Sequence, residues 1–336
     1  MTYSLQNRRY IGNKFKLLSF IKDVIDKEKV DFSSVADVFA GTGVVSEYFM
    51  SLDKSVIIND NLFSNYIFYK AWLSNDKFDN EKIKNLINYY NDNSDYIKDN
   101  YFSDTFSGTY YSYEDAKRIG SIREHIENIK NTLTEREYYI LLSSLLYSSD
   151  RIANTVGHFE AFLGPPPLDK GVVLEMLDIK KYKSSSYIYR EDANLLIKKI
   201  KADLLYLDPP YNARQYINFY HLLENLAEWK KLPVKGKTLK FDRKEKMSMY
   251  STVKAKTVLE DLIRNAKTKY ILVSYNNTYT ANSGASINKI TEKDMIDILK
   301  IRGDVKVFDI DYKFFNSGKT NFKEHKEYLY LCKVNK

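Results

Sequence analysis

The sequence has few of the residues that build disulfide frameworks, thiolate metal sites or membrane spans. Cys332 is its single cysteine, so neither an internal disulfide nor a metal site with several thiolate ligands is possible. No run of about 18 apolar residues occurs, so we expect no membrane-spanning helix. Residues 1–9 are polar and basic with no apolar stretch behind them. We therefore expect no secretory signal, no metal and a cytoplasmic location.

The composition is that of a folded protein. Apolar residues make up 44% of the chain and charged residues 29%, which is typical of a globular protein rather than a disordered or membrane-embedded one. A chain of 336 residues has room for one large domain with an insertion. The net charge of +8 favours a polyanionic partner. An AT-rich genome would also enrich lysine, asparagine, isoleucine and tyrosine, so the charge alone leaves nucleic-acid binding open.

Short apolar runs that end in turns predict the strands of an α/β domain. Val35 to Ala40 reads as a strand and Val44 to Leu52 as the helix that follows it. Ser55 to Asn59 is a second strand, which completes a βαβ unit. Helical periodicity then prevails until about residue 183, and the strand pattern resumes at Ala202 to Leu207.

Further periodic segments lie outside the βαβ unit. Three segments have helical spacing: Leu17 to Val30, Tyr216 to Trp229 and Ile290 to Ile301. Val305 to Ile310 and Tyr328 to Val334 alternate or run apolar, and we expect them to pair as a closing hairpin.

The order of these segments predicts one α/β domain that is split by an insertion. Residues 1–61 and 186–336 form the catalytic domain in this interpretation, and residues 62–185 form the mainly helical insertion. Residues 235–256 are dense in lysine and arginine with little apolar periodicity. We expect this stretch to be a mobile surface loop.

A glycine turn follows the first strand of the βαβ unit. Glycine tolerates positive φ and lets a ligand approach the backbone closely, and ligands of open α/β sheets bind at this carboxyl edge. A third glycine at dinucleotide-binding spacing is missing, and so is the lysine of a phosphate-binding P-loop. The turn alone therefore fits either a cofactor site or a plain strand–helix connection. Its residues are Asp37, Val38, Phe39, Ala40, Gly41, Thr42 and Gly43.

Asp60 ends the second strand. A carboxylate in this position can accept hydrogen bonds from both hydroxyls of a ribose, as in nucleoside-binding α/β proteins. A solvated aspartate at a strand end is the alternative, and the glycine turn beside it favours the binding role.

The motif Asp208-Pro209-Pro210-Tyr211 gives the sharpest indication of chemistry. It follows the apolar run of Leu204 to Leu207, so it also lies at the carboxyl end of a strand. The two prolines fix φ and remove two backbone donors, leaving a rigid turn with a carboxylate, bare carbonyls and an aromatic ring. Asp208 and the Pro209 carbonyl can accept both hydrogens of a planar amine, and Tyr211 can stack on its ring. A capping aspartate in a strand-end turn is the plainer alternative.

Together these residues resemble the adenine-specific DNA methyltransferases of the Dam-like class, and among them most closely the FokI-type modification methylases. The resemblance covers most of the chain. It implies a Rossmann-like seven-stranded methyltransferase sheet and S-adenosylmethionine as the cofactor. Motifs at residues 9–14, 37–43, 60 and 192–193 carry the cofactor assignment. The implied cofactor-binding residues are Tyr10, Gly12, Lys14, Asp37, Phe39, Ala40, Gly41, Thr42, Gly43, Asp60, Asp192 and Ala193, with Glu191 as an acidic neighbour that only spacing excludes.

The same resemblance assigns the remaining parts of the chain to DNA. Residues 62–185 become the target-recognition region, and the target adenine is expected to flip out of the duplex into the site. His221 is expected to be structural. Implied partners are double-stranded DNA and possibly a cognate restriction endonuclease, with the protein acting as a monomer. The residues assigned to DNA are Asn154, His158, Arg214, Lys237, Lys240, Arg243 and Lys244.

Other reactions and roles remain compatible with the motifs. The amine of cytosine, adenine in RNA and the amide of a protein glutamine need similar geometry, although Asp208 favours adenine. A catalytically silent DNA-binding relative is a further alternative, which the intact Asp208 and the glycine turn disfavour.

Overall fold

The computed structural model describes residues 2–278, 287–311 and 326–335. Its main feature is a seven-stranded sheet with the strand order β5-β3-β2-β6-β7-β9-β8. A separate pair of two-residue strands joins β1 to β4. The strands are β1 (Thr2–Tyr3), β2 (Ser34–Asp37), β3 (Ser55–Asn59), β4 (Met176–Leu177), β5 (Ser186–Tyr189), β6 (Leu204–Leu207), β7 (Tyr270–Asn276), β8 (Gly303–Asp311) and β9 (Lys326–Val334).

The sheet is parallel from β5 to β7 and antiparallel at one edge. β9 pairs antiparallel with both β7 and β8, which confirms the closing hairpin expected from residues 305–310 and 328–334. All four residues of the central strand β6 are buried, as expected where helices cover both faces of a parallel sheet. The Rossmann-like α/β class predicted from the sequence is confirmed.

Helices surround this sheet on both faces. The segments expected to be helical near residues 17–30, 216–229 and 290–301 form α1, α9 and α11. The helices are α1 (Leu18–Lys27), α2 (Val44–Ser51), α3 (Phe63–Trp72), α4 (Asn80–Asp92), α5 (Tyr101–Phe106), α6 (Tyr113–Asn128), α7 (Glu135–Ile152), α8 (Ala193–Leu196), α9 (Tyr216–Glu228), α10 (Ala255–Asn265) and α11 (Glu292–Lys300). Throughout the described ranges, no helix is long and apolar enough to cross a membrane.

Residues 62–185 connect the neighbouring parallel strands β3 and β5. The helix α7 is buried on nearly every side and packs against α3, while both of these helices contact α9 of the catalytic part. One apolar cluster therefore runs from β2 and β6 through the helices of residues 62–185. The division of the chain into a catalytic domain and a recognition insertion stays a prediction, and the two parts share a core.

Residues 235–256 form an irregular surface segment with two short 3-10 helices before α10, and three side chains anchor it; its mobility stays a prediction. Phe241 and Tyr250 are 2% and 4% exposed, and the Lys246 ammonium lies 3.0 Å from Glu224 and 2.7 Å from Glu228. These anchors are isolated in the sequence and contact distant elements, so no local apolar periodicity signals them.

Candidate active site

A cavity of about 650 Å³ opens at the carboxyl edge of the sheet. It lies where β2, β3 and β6 end, so the three sequence motifs meet around one space, as expected for an open α/β sheet. Three predicted site residues do not border the cavity, although their neighbours in the chain do: Gly43, Pro209 and Tyr211. The predicted site residues that border the cavity are Tyr10, Gly12, Lys14, Asp37, Phe39, Ala40, Gly41, Thr42, Asp60, Asp192, Ala193, Asp208 and Pro210.

The glycine turn needs its glycines for conformation and for space. Gly41 and Gly43 have φ of 53° and 85°, a region that residues with a Cβ rarely adopt. A Cβ on Gly41 would lie 3.1 Å from the ring of Tyr10. The Gly41 carbonyl also accepts a 2.7 Å hydrogen bond from the Tyr69 hydroxyl. The turn is therefore held rigidly, with its backbone bare towards the cavity.

Asp60 is tied to this turn by backbone hydrogen bonds. Its two carboxylate oxygens accept from Gly41 N at 3.0 Å and from Leu62 N at 2.9 Å. A hydrogen bond from the Asn65 side chain also contributes to the environment of this carboxylate, which can accept about four hydrogen bonds in all. Burial raises the pKa of Asp60 to about 6, so the carboxylate is mainly ionised at neutral pH.

Asp37 lies at the bottom of the cavity. The Ser46 hydroxyl donates to Asp37 Oδ2 at 2.8 Å, whereas Oδ1 is buried and lacks a hydrogen-bond partner among the described residues. Burial raises the pKa of Asp37 to about 7, and the charge of Asp208 adds to this rise. This predicted cofactor residue is therefore a buried acid that holds α2 through Ser46.

Asp192 and Glu191 both border the cavity, and the structure gives them different tasks. The Asp192 carboxylate accepts from Asn194 N and Leu195 N at the start of α8, at 2.9 and 3.1 Å. The Glu191 carboxylate instead pairs with Lys199. This difference agrees with choosing Asp192 as the cofactor residue, a choice that stays a prediction.

Asp208 takes part in a compact ionic group with Lys14 and Tyr211. Lys14 Nζ lies 3.2 Å from Asp208 Oδ1 and donates a short hydrogen bond to the Tyr211 hydroxyl. That hydroxyl in turn donates to Asp208 Oδ1. Burial raises the pKa of Asp208, while the Lys14 cation and the Tyr211 hydrogen bond oppose the rise. Lys14, expected at the cofactor, thus contacts the catalytic motif directly.

Backbone contacts fix the turn that carries Tyr211. The Tyr211 carbonyl accepts from Lys289 N at 2.8 Å and from the Tyr275 hydroxyl at 3.2 Å. The rings of Tyr211 and Tyr275 meet edge to face, with centroids 4.7 Å apart. The stacking of Tyr211 on a base stays a prediction, since in this arrangement its ring contacts Tyr275 and Lys14.

Two groups of cavity residues were not predicted from the sequence. The first is Tyr216, which borders the cavity. The ring of the predicted residue Tyr10 stacks on Tyr216 at 5.6 Å and on Tyr220, which does not line the cavity, at 4.7 Å. The second is the covering segment, residues 246–250, all of which border the cavity. Its Tyr250 meets Phe39 edge to face at 4.8 Å. The only local sequence feature of the covering segment is the pair of methionines at 247 and 249, one residue apart.

The histidine and asparagine assigned to DNA have protein contacts of their own. Asn154 is 9% exposed, and its amide nitrogen donates to the carbonyls of Thr109, Leu163 and Pro165. It therefore braces a loop, which argues against a DNA contact from its amide hydrogens. His158 packs on Phe219 with ring centroids 5.1 Å apart and accepts from Glu160 N.

His221 has the structural environment expected of it. It is fully buried, its Nε2 lies 3.0 Å from the Phe159 carbonyl, and burial lowers its pKa to about 3. The ring is therefore neutral at physiological pH and donates from Nε2.

The predicted DNA-facing cations differ in their exposure to solvent. Lys240 forms an ion pair with Glu160 at 3.2 Å, and Arg243 donates to Asn218 Oδ1 at 2.5 Å. Arg214, Lys237 and Lys244 are exposed. The exposed group is better placed to meet phosphates, because its charges face solvent.

Comparisons with known proteins agree with this geometry. Residues 10–298 match the model of the D12 class N6 adenine-specific DNA methyltransferases. The modification methylase StsI of Streptococcus sanguinis is 38% identical over 95% of this chain and 50% of its own length. The type II methyltransferase M.NlaIII of Neisseria lactamica is 33% identical over 96% of this chain and 98% of its own length. M.FokI of Planomicrobium okeanokoites is 33% identical over 96% of this chain and 52% of its own length.

The chain thus spans about half the length of StsI and M.FokI and nearly all of M.NlaIII. The likeness to FokI-type methylases inferred from the motifs is confirmed by the match to M.FokI itself. With a family model covering most of its length, the chain belongs to the D12 class N6 adenine-specific DNA methyltransferase family.

Proposed function

We propose that this protein transfers a methyl group from S-adenosylmethionine to the exocyclic amine of adenine in double-stranded DNA. The observation that carries the proposal is the meeting of two sites in one cavity. The glycine turn with Asp60 forms one side, and Asp208 at the end of β6 forms the other. A nucleoside cofactor and a planar amine can then be held next to each other, which is what direct group transfer requires.

The residues of the first side fit S-adenosylmethionine. Because Gly41 has no side chain, a ligand can approach its backbone closely. A Cβ at this position would lie 3.1 Å from the ring of Tyr10. Asp60 borders the cavity with an acidic side chain that can accept from a ribose hydroxyl, and Asp192 and Ala193 border the same space. The bound cofactor would supply a methyl group that is activated by its positive sulfur. The chain's own contribution is to hold both reactants in line in a cavity that carboxylates border.

The residues of the second side suit an amine that is part of a flat ring. Asp208 and the Pro209 carbonyl can accept its two hydrogens, which draws the nitrogen lone pair out of the ring conjugation. Proline cannot donate a competing backbone hydrogen bond at these positions. An adenine paired within a duplex cannot reach this depth, so the base has to flip out.

Exposed basic residues near the site support a DNA substrate. Arg214 comes three residues after the end of the catalytic motif, and Lys237 and Lys244 lie on the segment that precedes the covering segment. Contacts from such cations to phosphates would position the duplex, and base contacts from residues 62–185 would select the sequence. Lys240, Arg243 and His158 would join them only after giving up their present contacts.

The relatives named as modification methylases support a place in a restriction–modification system. A cognate endonuclease would then cut the same sequence when it is unmethylated. A methylase of this kind acts on cellular DNA, and the presence of both sides of the site in one cavity of one chain supports action as a monomer.

Methyl transfer to defined duplexes tests the proposal. Purified protein with labelled S-adenosylmethionine should place the label on adenine, and Asp208→Ala should abolish transfer while cofactor binding persists. Asp309→Ala, which removes an exposed carboxylate of the β8–β9 hairpin, should stay fully active. Label on cytosine, label on RNA alone, or DNA binding without transfer would each replace the proposal by the corresponding alternative.

A further inference from the structure

Glu327 is a buried carboxylate beside the catalytic motif that the proposed reaction does not yet use. It lies on β9, where it pairs with Asn276 of β7, and it is 5% exposed. Its Oε2 has no hydrogen-bond partner in the described part of the chain. A buried oxygen without a partner costs free energy, so such an atom calls for a physical reason.

The strand register places Glu327 on the same face of the sheet as Asp208. Leu207 pairs with Val273, so Asp208 is level with Ser274 and points to the same side. Asn276 is two residues further along β7 and therefore shares that side, as does its partner Glu327. The two carboxylates thus stand on one face, separated by β7.

The ammonium of Lys14 is electrostatically coupled to both carboxylates. Burial raises the pKa of Glu327 to about 7, the Lys14 cation opposes the rise, and the Asp208 anion adds to it. Burial raises the pKa of the Tyr211 and Tyr216 hydroxyls, and the negative charge of Glu327 adds to the rise of each pKa. Lys14 is therefore within electrostatic range of both acids, and it contacts Asp208 in this structure.

This contact conflicts with the chemistry required of Asp208. Its Oδ1 already accepts from Lys14 and Tyr211, so an incoming amine either competes with the cation for Oδ1 or uses the other oxygen of a carboxylate whose charge the cation already offsets. An ammonium binds a carboxylate more strongly than a neutral amine does, because its hydrogen bond is charge-assisted. While the cation stays, Asp208 is a weaker acceptor for the target amine and a weaker base for its proton.

We infer that Glu327 is a positioning residue for methyl transfer: its carboxylate receives the Lys14 ammonium when the target amine displaces that ammonium from Asp208. The move gives the unpartnered oxygen of Glu327 its hydrogen bond. It also leaves Asp208 with a higher proton affinity, because a neighbouring cation has withdrawn. The amine nitrogen gains a methyl group and a positive charge in the reaction and must release one proton. Asp208 is the adjacent acceptor for that proton.

A double-mutant cycle on the full chain separates this role from a structural one. Single-turnover transfer to duplex DNA is measured at saturating S-adenosylmethionine for wild type, Glu327→Gln, Lys14→Met and the double variant. Glu327→Gln should lower the rate roughly 10- to 100-fold, about the effect of one charge-assisted hydrogen bond, because Lys14 then stays on Asp208. In the Lys14→Met background the same change should alter the rate less than about threefold. Asp309→Asn is the matched control and should behave as wild type.

Binding measurements complete the cycle. The dissociation constant for S-adenosylmethionine should change less than about twofold in Glu327→Gln, so that the loss appears in the rate of transfer. Equal losses in both backgrounds, or a loss confined to cofactor binding, would contradict the inference. The inference rests on the proposed function: a wild-type protein that fails to methylate adenine contradicts that function, whereas an active wild type with additive effects contradicts only the role of Glu327.

A structure of the wild-type protein with duplex DNA and a non-reactive cofactor analogue tests the same point without any variant. Lys14 Nζ should lie within hydrogen-bond distance of the Glu327 carboxylate, with the target amine on Asp208. A Lys14 ammonium that remains on Asp208, or that pairs with the cofactor analogue instead, would overturn the inference.

Discussion

Lys246 fastens the covering segment to α9, and Lys246→Met tests how much the cavity depends on that attachment. The side chain of Lys246 is 15% exposed and contacts Glu224 and Glu228, whose side chains are 0% and 7% exposed. Glu224 also accepts from Phe63 N and Ser64 N at the start of α3. Methionine keeps most of the length and apolar character of lysine and removes only the charge.

The expected loss of stability follows from the charges that stay behind. Breaking a buried ion pair from one side typically costs about 3 to 5 kcal/mol, because the remaining charge is uncompensated. Arg190 lies 2.7 Å from Glu228 and 3.9 Å from Glu224, and it retains part of the compensation. We therefore expect the free energy of unfolding to fall by about 2 to 3 kcal/mol.

The same substitution should weaken cofactor binding. Residues 247–250 border the cavity, and a released segment has to be ordered again when a ligand binds. Ordering a few side chains costs about 1 to 2 kcal/mol, so the dissociation constant for S-adenosylmethionine should rise roughly tenfold.

Urea unfolding and titration calorimetry with S-adenosylmethionine provide the two measurements. Lys244→Met is the matched control, because it removes the same charge from an exposed position two residues away. A Lys246→Met protein as stable as this control would refute the view that the buried pairs hold the segment. Lowered stability with unchanged cofactor affinity would show that the segment does not shape the binding site.

Two further predictions concern the core and the glycine turn. Burial raises the pKa of Asp150 to about 7, so the folded state holds this proton more tightly than the unfolded state; the resulting stability is complete below about pH 4 and lost as the pH rises through 7. Asp150→Asn should therefore stabilise the protein by about 4 kcal/mol at pH 8 and by only about 1 to 2 kcal/mol at pH 5. Thermal unfolding of both proteins at the two pH values measures this difference, and an equal effect at pH 5 and pH 8 would contradict it. Gly41→Ala should cost about 1 to 2 kcal/mol and weaken cofactor binding at least tenfold, because its Cβ would lie 3.1 Å from Tyr10. Gly108→Ala has a similarly positive φ of 72° with no atom within 4 Å of the added Cβ, so it should show the strain without the loss of binding.

Much of the fold could be read from local patterns. The apolar runs before Asp60 and Asp208 are strands because both faces of a parallel sheet are buried, and parallel strands end at a common edge. The motifs had to meet there once the sheet formed. The alternating residues of β8 and β9 likewise identified a hairpin at the edge of the sheet.

The parts that could not be predicted depend on contacts between distant residues. Lys14 belongs to a motif that indicates the cofactor, yet its ammonium reaches Asp208 far along the chain. Nothing near Lys246 signals Glu224 and Glu228, so the sequence around it looks like a solvated loop. The role inferred for Glu327 needs the register of three strands, which a single sequence does not reveal.

The helices of residues 62–185 share their apolar core with the sheet and with α9. A chimaera that exchanged this region to change the DNA sequence recognised would also exchange part of the interior of the catalytic domain. Grafts should succeed only when they retain the buried faces of α3 and α7 and replace residues that face outwards. New specificities in proteins of this build are therefore expected to arise by surface substitution rather than by exchange of a whole module.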